Sequence, residues 1–350
     1  MIILLNLKKY ALALLGGAAI FSVATPQLVT AHNAAVTPLG LRANLFLSIP
    51  QSSAVDNKRF YASYGTATSK TEFKGDFYLD GDFSSITGGM DFGLDQGRIA
   101  SAGLNQWEKT WSYSETGYSR TSAVSEQILI GRFFLPTSDK LDLSIGARNV
   151  AREAKINEKI GSVSKSGTAS LSYLDLGIGG RYKINEDSSF VFGFSPEVSA
   201  SGNYGGDYTG WVNKSGHGRE ILLGGGYMKD NYSLGANYLM VEESFASFSS
   251  AGTELSFAGE VGFDDSAVGA SITTLSYEKL VNNGRYYNEP ITGTIMTVEG
   301  NIGIDEGRGL YLAYSTTSYT AGDFGDAVVD ETRMESYNST FLSAGFIMNL

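Results

Sequence analysis

The chain has 350 residues, 37 acidic against 26 basic side chains, a formal net charge of −11, and 43 Gly, 6 Pro and no Cys. The acidic surplus excludes a nucleic-acid binder that relies on a basic patch, and the absence of Cys excludes disulfide staples and thiolate metal sites. Abundant Gly, 12% aromatic residues and few Pro fit many strands joined by tight turns.

At the N-terminus, Lys8 and Lys9 precede the apolar run YALALLGGAAIFSVA, which is followed by TPQLVTAHN. A charged lead, a short apolar stretch and an A-x-A-type site predict a cleaved signal peptide over residues 1–31. Val29 and Ala31 take the −3 and −1 positions and His32 becomes the first mature residue, with a cut after Ala24 as the alternative. The run is shorter than the ~20 apolar residues that a spanning helix needs. No later segment is apolar enough for a membrane helix, so any further crossing must be made as a closed barrel. Residues 32–57 form a lead-in whose LGLRANLFLSI stretch is too apolar for a free tail. It either enters the interior as a plug or pairs as a strand through LRANLFLSI.

From residue 58 to 350 the pattern has period two. Leu141, Leu143, Ile145 and Ala147 oppose Asp142, Ser144 and Arg148, while Leu174, Leu176, Ile178 and Tyr182 oppose Asp175, Arg181 and Lys183. Phe190, Phe192, Phe194 and Val198 oppose Ser189, Ser195 and Glu197. Leu255, Phe257, Val261 and Phe263 oppose Glu254, Ser256 and Glu260, and Met296, Val298 and Ile302 oppose Thr297, Glu299 and Asn301. This is strand patterning, one face for oil and one for water. Short turns rich in Asp, Asn and Gly fall near 96, 137, 186, 230, 265 and 307. They alternate with longer polar connections at 73–82, 113–121, 155–166, 202–216, 246–251, 280–290 and 321–334.

The rhythm predicts an all-β fold: a transmembrane, antiparallel, up-and-down β-barrel of about fourteen strands, with short periplasmic turns and long extracellular loops. An even count puts both chain ends on the short-turn side. Phe133, Tyr182, Phe190, Tyr227, Tyr232 and Phe263 flank the turns as an interfacial belt. The expected lumen-lining set is Asp91, Glu126, Arg132, Asp142, Arg148, Asp175, Arg181, Lys183, Glu197, Glu254, Glu260 and Glu299. It either lines a water-filled, cation-favouring lumen or pairs across a closed interior. The expected lipid-facing set is Phe190, Phe192, Phe194, Phe257, Phe346 and Leu350. Aromatic groups at Trp107, Trp111, Tyr113 and Tyr118, at Tyr204, Tyr208 and Trp211, and at Tyr286 and Tyr287 fall in expected loops, as an outer belt or a ligand-capturing surface.

The closing TFLSAGFIMNL keeps its alternation to the last residue, with Leu342, Ala344, Phe346, Met348 and Leu350 on one parity. Together with the export signal and the hairpin rhythm, it resembles the Gram-negative outer-membrane β-barrel proteins over essentially the whole mature chain. The resemblance implies lipid and lipopolysaccharide around the barrel and recognition of the last strand by the barrel-assembly machinery. Such strands usually close with Phe or Trp, whereas this one closes with Leu. Fourteen strands behind an N-terminal lead-in are similar to the FadL family of fatty-acid and hydrocarbon transporters. That family's Asn-Pro-Ala motif is absent here, where Asn33, Ala34 and Ala35 stand with Pro38 displaced, so no binding residue is carried over.

No base–nucleophile pair is evident, since the mature histidines are His32 and His217, and no cofactor or metal is expected. The functional expectation is a passive outer-membrane channel for small solutes, with FadL-like uptake of hydrophobic compounds. The alternatives are a non-specific diffusion porin and a structural or surface-recognition barrel with a closed lumen.

Overall fold

A computed structural model describes residues 58–73, 77–185, 188–207, 216–229, 232–245, 248–263, 266–282, 286–305, 308–321 and 334–349. The expected signal peptide, the 32–57 lead-in and Leu350 lie outside the described residues. The strands are β1 (Lys58–Phe73), β2 (Phe77–Gly93), β3 (Ile99–Glu115), β4 (Tyr118–Pro136) and β5 (Leu141–Ile160). They continue as β6 (Val163–Lys183), β7 (Ser188–Gly206), β8 (Gly216–Lys229), β9 (Tyr232–Phe245) and β10 (Phe248–Phe263). The last four are β11 (Ser266–Asn282), β12 (Tyr286–Asp305), β13 (Arg308–Ala321) and β14 (Met334–Asn349).

Each strand pairs antiparallel with its sequence neighbours, and β1 pairs with β14, from Arg59 opposite Asn349 to Phe73 opposite Met334. The sheet is therefore a closed fourteen-strand barrel without an edge. Closure satisfies every ladder within the sheet, which an open sheet exposing its edge to an apolar medium cannot do. The alternating last strand completes this wall, and its register is fixed by side-chain fit. Phe341 lies across Gly65 on the next strand, where any Cβ would collide with the ring.

The six short turns fall where Asp, Asn and Gly cluster. Between β2 and β3 a single 3-10 turn, Asp95–Gly97, places Gln96 at φ 63 and Gly97 at φ 70. This left-handed pair reverses the chain tightly, and Gly adopts it without a Cβ penalty. In the β4–β5 turn, Ser138 Oγ accepts from the amides of Lys140 and Leu141.

The opposite end differs from the expected loop lengths. Only Thr116 and Gly117 separate β3 from β4, and Gly161 and Ser162 separate β5 from β6, so most of segments 113–121 and 155–166 continues as strand. The longer connections are 207–215 and 322–333. The 17–21-residue strands β3 to β6 exceed the ~9–11 residues that a tilted span requires, so this side of the barrel stands taller than a bilayer.

On the outside, Ile178, Leu176, Leu174, Phe194, Phe257 and Val298 are exposed and continue around the barrel as an apolar band. Tyr182, Phe190 and Tyr232 stand exposed beside the short turns, and the Tyr227 and Tyr232 rings lie 6.0 Å apart. Above the band, exposed positions turn polar: Asp82, Gln106, Glu108 and Gln127 occupy the upper parts of β2, β3 and β4.

Besides shifts near strand ends at Glu72–Phe73 and Gly303–Asp305, the ladder is broken in mid-strand at β7. Between β6 and β7 the register runs to Ser172 opposite Ser201 and resumes at Ile178 opposite Phe194, so residues 173–177 face 195–200. Between β7 and β8, residues 196–197 face residue 219 alone. Both counts place one extra residue in β7, at Pro196–Glu197. Proline has no N–H to contribute to a ladder, and a bulge is where a sheet tolerates it.

Candidate functional site

The candidate site is the inner wall. Period-two alternation sends one parity of the strands inward, and there Asp91, Glu126, Asp142, Arg148, Arg181, Glu254 and Glu299 are buried. Arg132 and Lys183 share that parity and are half-buried. The side chains of Asp175, Glu197 and Glu260 lie outside the described set. Phe190, Phe194, Phe257 and Phe346 are exposed on the outer parity, and Phe192 lies there across Gly180.

Charged side chains concentrate on β4 to β6, where direct cross-strand pairing brings opposite charges together. Glu126 faces Arg152 in register. Arg152 Nε donates to Glu126 Oε2 at 2.7 Å, and Nη2 makes a second, shorter contact with the same oxygen. The other carboxylate oxygen, Oε1, accepts the Trp107 indole N–H at 3.0 Å. One turn-proximal level is held by Asp142, whose Oδ2 accepts from Arg181 Nε at 2.9 Å and Nη2 at 2.6 Å, with Lys183 Nζ at 3.5 Å. Buried carboxylates need such partners, since an unpaired charge out of water costs several kcal/mol. At the β3–β4 hairpin tip, Tyr118 donates its hydroxyl to Glu158 Oε1 at 2.9 Å, and burial pushes its phenol up from the ordinary tyrosine range.

A row of rings continues from this ionic wall across the closing seam. Trp107 stacks on Phe83 at 6.0 Å, and Phe83 meets Phe341 edge-on at 5.8 Å. The expectation that Trp107 belongs to a loop cluster is corrected here. It lies on β3, only 2% exposed, with its N–H spent on Glu126. Asp80 and Asp82, expected in a loop, lie on β2. Asp76, Asp323, Asp326 and Asp330 fall outside the described residues.

The far wall, β10 to β13, mixes hydroxyls and carboxylates with buried Leu275, Ala258 and Ala313. Ser256 Oγ and Thr273 Oγ1 lie 2.8 Å apart, and Thr297 Oγ1 and Ser315 Oγ 2.6 Å apart. Tyr311 donates to Glu299 Oε2 at 2.9 Å. Sequence reasoning missed Trp107, Arg152, Glu158 and Tyr311 as interior groups. The available signal was that the parity of Asp142 and Arg148 continues through Val150, Arg152, Ile156 and Glu158, beyond the expected end of the strand.

An edgeless antiparallel barrel with an apolar exterior and an ionised interior defines the class: an up-and-down β-barrel of the type that crosses membranes with strands. No family model matches the chain, and no curated protein matches it. Among solved structures, the fold is shared with the Pseudomonas putida toluene transporter TodX, at TM-score 0.59 and 12% identity over 89% of this chain and 94% of that one. The TodX monoaromatic hydrocarbon channel deltaS2 mutant gives 0.61 at 12% identity over 89% and 95% of the two chains. A Pseudomonas aeruginosa FadL homologue gives 0.54 at 10% identity, covering 85% and 91%.

Proposed function

We propose that this chain is a passive transport channel of the Gram-negative outer membrane. In this reading the chain is exported through cleavage of residues 1–31, and its apolar band rests in lipid and lipopolysaccharide. The last strand carries the signal for the barrel-assembly machinery. The single observation that carries the reading is the division of the closed wall, with a nearly continuous apolar band outside and, inside, paired charges and hydroxyls set among buried apolar side chains such as Phe134, Ile128, Leu239 and Leu275. Such a wall is stable in a bilayer and encloses a polar path across it. The protein acts as a channel rather than an enzyme, and movement is downhill.

The solutes we propose are small hydrophobic compounds, as the names of the TodX structures say of those proteins. The β7 bulge supports this choice. It interrupts the β6–β7 ladder within the apolar band, beside exposed Leu174, Leu176, Ile178 and Phe194. An apolar solute inside the barrel can leave there sideways into lipid without crossing the polar ends of the wall.

Deleting Pro196 removes the extra residue and should rejoin the ladder. Liposomes carrying the variant should lose uptake of a labelled monoaromatic hydrocarbon while retaining wild-type ionic conductance. Unchanged hydrocarbon uptake with a restored ladder would reject the side exit. A large steady current in the wild type, with no hydrocarbon uptake, would identify a diffusion porin instead.

A further inference from the structure

The net charge of −11 would make the lumen favour cations if its acids faced the water there. Burial sorts the two signs differently. On the inward parity of the described strands, the carboxylates Asp91, Glu126, Asp142, Glu158, Glu254 and Glu299 are all buried. The inward charges that keep exposure among the described residues are Arg132, Lys165 and Lys183, all cations and all on β4 or β6. Short acids sit down against the sheet, whereas Lys and Arg carry their charge out on long stems. The accessible face of the lumen is therefore cationic although the chain is acidic.

One arrangement recurs at both mouths. At the short-turn end of β6, Asp142 Oδ2 accepts from two Arg181 nitrogens and lies 3.5 Å from Lys183 Nζ. Two cations share one carboxylate, and the surplus charge is on Lys183, whose side chain is 37% exposed against 1% for Asp142. At the other end of β6, Glu158 stands in register between Arg120 on β4 and Lys165 on β6. Arg120 and Glu158 are buried there and Lys165 is half-buried, so the accessible charge is again the lysine. Between the mouths the wall is close to neutral. Arg152 bonds Glu126, Arg148 faces Asp175 in register, and Arg132 adds one half-buried guanidinium. Across the lumen, β10 to β13 have no inward Lys or Arg among the described residues, and their Glu254 and Glu299 are buried.

We propose that the lumen is anion-selective, with Lys165 and Lys183 drawing small anions, inorganic or carboxylate, into its two mouths along the β4–β6 wall. Low-dielectric walls focus the field of such charges, and Lys or Arg lining a pore favours anions as rings of acids favour cations. The inference rests on the channel reading above and is independent of the side exit. At about 7 Å in water, one surplus charge changes an ion's local concentration about threefold before screening. Anions rise and cations fall. After screening at 0.1 M salt, the expected chloride-to-potassium permeability ratio is about three, falling toward about one at 1 M.

Reversal potentials of the assembled protein in planar bilayers, under a gradient of potassium chloride and then of potassium acetate, read this ratio. Lys165→Gln with Lys183→Gln should bring it to about one. Arg181 still bonds Asp142 in that variant, so the carboxylate keeps a partner. Lys165→Arg with Lys183→Arg should hold the wild-type ratio, which separates lost charge from a damaged wall. Lys70→Gln with Lys155→Gln is the control. It removes the same total charge, but both side chains stand exposed on the outer face, so the ratio should not move. A wild-type ratio below one, or an equal fall in the outer-face control, would overturn anion selectivity and leave the channel reading standing. Selectivity for chloride but not for acetate would overturn the carboxylate part. No current from the wild type would overturn the channel reading itself, and this inference with it.

Discussion

Replacing Gly65 with Ala tests how the barrel closes. Gly65 lies on β1 beneath the ring of Phe341 on β14, and an added Cβ would sit 2.7 Å from Phe341 Cε2, well inside contact distance. The ring cannot swing away freely, because Phe83 packs against it edge-on at 5.8 Å and it is buried. Exchanging Gly for Ala in a strand normally helps by about 0.5–1 kcal/mol through lost unfolded-state freedom. Here overpacking of about 1–3 kcal/mol opposes it, for a net loss of up to about 2.5 kcal/mol. Phe341→Leu removes the colliding ring, so the double variant should recover most of that loss. Urea titration of the refolded barrel in phospholipid vesicles, followed by tryptophan fluorescence, gives all four corners of the cycle. Additivity within about 0.5 kcal/mol would refute the claim that the glycine and the ring act as one fitting.

Three further outcomes follow from other parts of the wall. Phe194→Arg puts a charge into the apolar band and should cost about 2–4 kcal/mol if the site lies near mid-bilayer, read by the same titration. Arg152→Ala leaves Glu126 buried without the Arg152 guanidinium and should cost about 3–5 kcal/mol, with Arg152→Ala plus Glu126→Ala costing less than the single change. Tyr118→Phe removes one hydroxyl bond to Glu158 at the hairpin tip and should cost about 1 kcal/mol without altering conductance.

The barrel was legible in the sequence because a half-buried strand writes its two environments in alternate letters. Leu141 to Arg148 and Tyr182 back to Leu174 needed no structure to be read. The turns were legible for a separate reason, since reversing a chain in a few residues demands Asn, Asp or Gly. The strand ends were not. Above the apolar band, residues 155–168 meet water outside and polar groups inside, so Lys155, Asn157 and Lys159 look no different from a loop. For the same reason Arg152 and Glu158 were missed as interior groups, and Trp107 looked like a loop aromatic. The β7 bulge did leave a mark in Pro196, but a proline names an interruption without saying which ladder shifts register. Cross-strand partners such as Arg152 and Glu126 lie 26 residues apart, and only the register joins them.

The distribution of these partners also predicts where the wall yields. On one side β6 keeps an unbroken register with β5 from Tyr182 to Val163, reinforced by the bonds of Arg181 to Asp142. On its other side the register with β7 shifts across 173–177. Opening the first seam breaks a continuous ladder and a buried ion pair together, whereas the second is already disrupted by a bulge within the apolar band. Bulged segments lose ladder bonds locally, and locally weak ladders open at lower free energy than the whole fold. Amide exchange in vesicles should therefore be faster at 174–177 and 196–200 than at 143–150 on β5, by at least about tenfold, the rate equivalent of one backbone bond of about 1.4 kcal/mol. Deleting Pro196 should slow the fast set toward the β5 rates and leave β5 unchanged. Equal protection on both faces of β6 in the natural chain would place the compliant seam elsewhere, and the proposed side exit with it.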